Sequence, residues 1–136
     1  MATTHRLPPA AAARIRYITL DVADLDRAAR FWTALLGVGV HARDRQYVWL
    51  ERAEPAQPSI ALQRVAESKT AKNRCHVDLV SDDPEATLAT VELLGGRVIE
   101  EVVDPLYELV VAADPDGNEF CVIRAGSEQR RDAASA

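Results

Sequence analysis

The sequence predicts an α+β fold made of two tandem β-α-β-β-β modules, and three observations carry that prediction. The segments RYITLDVADLDRAARFWTALLG (16–37) and CHVDLVSDDPEATLATVELLGG (75–96) repeat one pattern: an alternating strand, a turn with a capping aspartate, an amphipathic helix and a glycine stop. Each copy is followed by three short strand-like segments bounded by turn residues. The apolar faces of the two opening strands superpose at a shift of 59, Ile18 onto Val77 and Leu20 onto Leu79. The two LLG ends match at 58 instead. A one-residue slip would turn a strand inside out, so the strand faces decide the register.

In the first opening strand Ile18, Leu20 and Val22 alternate with Tyr17, Thr19 and Asp21, the pattern of a half-buried strand. Asp24 is placed to cap the helix that follows. Ala28, Phe31, Trp32, Leu35 and Leu36 form its buried stripe, and Gly37 stops it. Strands are expected over 38–42, 46–51 and 59–65. In the second copy Val77 and Leu79 alternate with His76, Asp78 and Val80. Asp83 caps a helix, Pro84 suits its first turn, Leu88, Val91 and Leu94 form its stripe, and Gly95 and Gly96 end it. Strands are expected over 97–103, 107–113 and 119–124, with DPDGN as an ordinary turn positioning the last. The domain plan is a flexible lead over 1–13, a module over 14–65, a polar linker over 66–73, a second module over 74–125 and a tail over 126–136.

Composition narrows the partners. The chain is 48% hydrophobic and 27% charged, enough apolar material for a core without disulfide or metal staples. A net charge of -5 and the absence of a Lys/Arg stripe argue against nucleic acid. No apolar run is long enough to span a bilayer, and MATTHRLPPAAAAR lacks the apolar region of a secretory signal. Cys75 and Cys121 lie in apolar runs and do not make a disulfide framework, so a cytoplasmic location is expected. Cys75 falls on the strand face opposite His76 and is expected in the core.

The segments ITLDVADLDRAARFWTALLG, HVDLVSDDPEATLATVELLGG, IALQRV and DPDGNEFCVI resemble the glyoxalase-like branch of the vicinal-oxygen-chelate superfamily, which groups glyoxalases, bleomycin resistance proteins and dioxygenases. The resemblance covers about residues 14–125. It implies two curved sheets forming a cup for a small organic molecule, and a homodimer. An open curved sheet also leaves apolar surface in need of cover. The resemblance further implies metal positions at Tyr17, Gln63, His76 and Cys121, where relatives carry His, Glu or Gln, His and Glu. Tyr17 and Cys121 depart from that set. Only His76 is a strong ligand, so tight zinc binding is expected to be absent. If a divalent metal (Zn, Ni, Fe, Mn or Mg) binds, His76, Gln63 and Cys121 would hold it; otherwise no cofactor is expected.

Each candidate has a bland alternative. His76 is a metal ligand, a proton carrier or a hydrogen-bonded wall residue. Cys121 is a thiolate nucleophile or an inert buried thiol. Asp78, like Asp21, is a general base or an exposed carboxylate. Tyr17 donates to a ligand or merely walls the cup, and Trp49 in QYVWLE offers a flat stacking surface. Trp32 is assigned to helix packing or a dimer contact, and His5 and His41 receive no role. The ligand is expected beside Tyr17, Trp49, Gln63 and His76, with His76, Cys121 and Asp78 as the catalytic candidates. Three functions stay open: a metal-free drug- or metabolite-sequestering protein, a metal-free enzyme using acid–base chemistry, and a metal-dependent lyase, isomerase or dioxygenase.

Overall fold

A computed structural model describes residues 13–104 and 107–127 of the chain. The expected lead over 1–13 and tail over 126–136 lie outside the described residues except for Ala13, Gly126 and Ser127, the last two closing a turn after the final strand. The element order is β1 (Tyr17–Val22), α1 (Leu25–Leu36), β2 (Val40–Arg43), β3 (Tyr47–Leu50), β4 (Ser59–Arg64), β5 (Val77–Ser81), α2 (Pro84–Leu93), β6 (Arg97–Asp104), β7 (Tyr107–Ala113) and β8 (Glu119–Arg124). Each half is one β-α-β-β-β module. The first sheet has the order β1-β4-β3-β2 and the second β5-β8-β7-β6, with β1 parallel to β4 and β5 parallel to β8. The two helices begin 59 residues apart, at Leu25 and Pro84, as the strand faces require.

Local chemistry sets the ends of both helices. The Asp24 carboxylate accepts from the Arg27 amide and that of Asp83 from the Ala86 amide, satisfying donors that a helix start leaves open. Gly37 ends α1 in the left-handed region at φ 65°, a conformation costly for any residue with a Cβ.

The helix-facing sides of both sheets feed one continuous core. Val22, Val48, Leu50, Ile60 and Leu62 of the first sheet meet Phe31 and Trp32 of α1, which also touch Phe120 of the second. The Trp32 and Phe120 rings stand edge to face at 5.1 Å. Trp32 is therefore core packing, 1% exposed. Gly96 lets the modules close: a Cβ there would sit 2.5 Å from the Ala113 carbonyl oxygen and 2.9 Å from the Phe31 ring.

The DPDGN turn does more than aim β8. Its Asp114 is buried, and Oδ1 accepts from the amides of Asp116 (2.9 Å) and Asn118 (2.8 Å). Oδ2 accepts from Asn118 Nδ2 (3.0 Å) and from Trp32 Nε1 of the other module (3.1 Å). Asp116 Oδ1 accepts from the Ala23 amide and from Arg27, and Asn118 Nδ2 donates to the Asp21 carbonyl. One turn thus closes on itself and grips the β1–α1 corner of the first module. Burial pushes the Asp114 carboxyl above its ordinary pKa, against the pull of these donors.

Asp114→Asn keeps the size but has one acceptor oxygen instead of two, so it leaves buried donors unpaired. It should lower stability by about 2–4 kcal/mol in denaturant unfolding. A change below about 0.5 kcal/mol, the scale of an ordinary surface substitution, would show that the turn does not hold the modules together.

Candidate small-molecule site on the helix-free sheet faces

Because the helix-facing sides converge on the core, the opposite faces turn away from it. Register assigns their residues. On the first sheet Tyr17, Thr19 and Asp21 pair with Ser59, Ala61 and Gln63, and Ala61 and Gln63 pair with Trp49 and Tyr47. Paired residues share a face, so all eight side chains lie on the side away from α1. Tyr47 and Trp49 stack nearly parallel, centroids 5.1 Å apart with 15° between planes. The Arg16 guanidinium sits 4.3 Å from the centroid of the Tyr17 ring, a cation–π contact at the far end of the face. Tyr17, Thr19 and Asp21 are exposed, while Tyr47, Trp49 and Gln63 are half-buried. The result is a trough, aromatic on its sides and floored by the short side chains of Ser59 and Ala61. Asp21, at its other end, also borders a cavity of about 620 Å³ beneath the linker.

On the second sheet Asp78 pairs with Cys121, and Cys121 with Val111. Cys121 is buried, and its thiol donates to the Asp78 carboxylate. Burial, then the Asp78 charge and that hydrogen bond, push the thiol above its ordinary pKa, so it stays protonated near neutral pH. Lys72 Nζ and Glu119 Oε2 pair at 2.7 Å beside it, the bond raising the lysine pKa and lowering the glutamate's. His76 stands just before β5, with Nε2 2.9 Å from the Asn73 carbonyl oxygen, and its charge also acts on Glu119.

The structure therefore brings together Tyr17, Trp49 and Gln63 on the first sheet, and Asp78 with Cys121 on the second, with His76 at that sheet's entrance. Among the described residues no three His, Cys, Asp or Glu side chains are grouped so as to hold a metal ion. Cys75, expected in the core, is exposed. It precedes β5, so strand alternation does not govern it. Two groups escaped the sequence reading, the Lys72–Glu119 pair, with Lys72 in the linker, and Ser59 on the trough floor. Neither has a periodic or motif signal.

Paired β-α-β-β-β modules with open, partly aromatic sheet faces define a class of small two-module α+β proteins whose sheets offer concave surfaces. Within that class the chain belongs to the glyoxalase-like domain family, whose model matches residues 17–123. It is 26% identical over 117 residues to glyoxalase domain-containing protein 4 of Rattus norvegicus, covering 78% of this chain and 39% of that protein. The chain spans less than half the length of the curated relatives it matches. Its fold is similar to that of a fosfomycin resistance protein of Listeria monocytogenes complexed with Mn(II) and dihydroxypropylphosphonic acid, with TM-score 0.74, 15% identity, and 92% of this chain and 98% of that one covered. It is also similar to a bleomycin-binding protein complexed with bleomycin, with TM-score 0.58, 18% identity, and 83% and 98% covered. At these identities the two structures speak to the fold alone.

The environments of the two free thiols differ enough to test. In the native protein at neutral pH, iodoacetamide should alkylate Cys75 at least about tenfold faster than Cys121, whose thiolate is scarce and shielded. Asp78→Asn should speed labelling of Cys121, because the charge that disfavours the thiolate is gone. Peptide mapping by mass spectrometry reads both rates. Equal rates in the native protein would contradict the assigned burial and pKa direction.

Proposed function

We propose that the chain binds a flat small organic molecule in the trough of its first sheet, without a resident metal, and that a second copy closes the trough. The observation that carries this reading is the stacked Tyr47–Trp49 pair beside Gln63, opposite Tyr17, on a sheet face that no helix covers. Aromatic walls with a few polar groups are what a small-molecule site requires. The family positions for a metal do not suit one here. Tyr17 is a phenol, Gln63 a neutral amide, Cys121 a thiol held protonated, and His76 turns Nε2 onto a backbone carbonyl. A fold shared with a protein complexed with bleomycin supports a binding role.

Exposure supports the second copy. Tyr17 on the first sheet is 37% exposed and Val80 on the second is 59% exposed, surfaces that a homodimer would cover. A cytoplasmic setting belongs to the same reading and accords with two free thiols. Among the described residues no helix is long and apolar enough to cross a membrane.

A second reading has its own observation. The Asp78–Cys121 hydrogen bond beside Lys72 and Glu119 is a group of proton donors and acceptors that a metal-free enzyme could use. It requires turnover that Asp78→Asn abolishes.

The binding reading is tested by titrating chelator-treated protein with a library of aromatic and drug-like molecules while following tryptophan fluorescence. Hits should bind without added metal, and Trp49→Phe or Gln63→Ala should each weaken them about fivefold, near 1 kcal/mol. Binding that needs a divalent ion, or that neither substitution alters, would place the site elsewhere. Light scattering at micromolar concentration should give a dimer; monomer alone would contradict closure by a second copy.

A further inference from the structure

The geometry points to Ser59 as the polar anchor of the first-sheet trough, and to an aromatic carboxylate as the class of ligand it takes. This rests on the reading of that trough as a binding site. Ser59 is 3% exposed, and its Oγ has no hydrogen-bond partner. A buried hydroxyl in that state costs about 1–3 kcal/mol unless something pairs with it, and few native groups are left so. The other buried side-chain atoms in this state, among the described residues, lie off the trough. Arg27 Nε and Asp116 Oδ2 belong to two side chains already joined at 3.0 Å, and Asn73 borders the cavity beneath the linker. Ser59 differs because the register with Tyr17 puts its side chain on the trough side of β4, with Ala61 next along the floor.

The trough is polarised along its length. At the Ser59 end the Arg16 guanidinium lies over Tyr17, and the Ser59 amide donates to the Arg16 carbonyl at 3.1 Å, which ties the two residues together. At the other end stands Asp21, paired in register with Gln63 and four residues further along β1, a separation of about 13 Å. A flat ring lying against the Trp49 stack would reach both ends. An anionic oxygen on it belongs at the Ser59 and Arg16 end, where Ser59 Oγ–H donates to it and the guanidinium attracts it, away from the Asp21 carboxylate. Tyr17 is the movable wall over this end, an edge-strand side chain 37% exposed.

The test uses three probes, naphthoate, naphthylmethylamine and cyclohexanecarboxylate, titrated by calorimetry and tryptophan fluorescence into the full chain. Naphthoate should bind about tenfold tighter than either other probe, since only it has both the ring and the anionic oxygen. Ser59→Ala should weaken naphthoate about fivefold yet leave the unfolding midpoint unchanged or higher, because it removes a hydroxyl that pairs with nothing in the free protein. Arg16→Gln should weaken naphthoate and not naphthylmethylamine. The anchor role is overturned if Ser59→Ala binds naphthoate as well as the parent, if it lowers the midpoint, or if the amine is preferred. Naphthoate binding weakened by Trp49→Phe but not by Ser59→Ala would keep the trough and discard the anchor. If none of the probes binds, the anchor role and the ligand class fail with the trough.

Discussion

Four donors converge on the buried Asp114 carboxylate, and one of them, Trp32 Nε1, belongs to the other module. The rest of the structure follows from satisfying that group. A carboxylate out of water is costly unless its oxygens are saturated, so the turn must close and the tryptophan must stay in place. With Trp32 fixed, Phe31 and Phe120 pack around it, and the helix-facing sides of both sheets become one core. Asp116 and Asn118 of the same turn then hold the β1–α1 corner through Ala23, Arg27 and Asp21.

That constraint decides which surfaces remain for function. With both helix-facing sides committed to the core, the other two faces are left for ligands or partners, and they differ in character. The first carries aromatic and amide groups along a floor of small residues, suited to a flat molecule. The second carries a protonated thiol beside a carboxylate, with a lysine–glutamate pair close by. Asp21 connects the two themes: its side chain ends the first-sheet trough while its carbonyl is held by Asn118 of the second module. The turn that joins the modules therefore also fixes one end of the trough.

Much of the fold could be read from sequence because it depends on local pattern. Ile18, Leu20, Val77 and Leu79 alternate cleanly since β1 and β5 are edge strands with one covered face. IALQRV and EFCVIR do not alternate, because β4 and β8 lie inside their sheets and large neighbours cover their short side chains on both faces. The reach of DPDGN to Trp32 and Arg27 was invisible, since it joins residues more than eighty positions apart that share no pattern. The same limit hid Ser59, whose burial comes from its register with Tyr17. Cys75 misled because parity was extended one step too far beyond the start of β5.

The central claim is that the first-sheet trough, without metal, is where this chain holds a small molecule. Amide chemical-shift mapping of chelator-treated protein, titrated with an aromatic molecule that quenches its fluorescence, tests it directly. The account predicts perturbations concentrated at Tyr17, Thr19, Tyr47, Trp49 and 59–63. Shifts confined to the surroundings of Asp78 and Cys121, or appearing only after a divalent ion is restored, would contradict it.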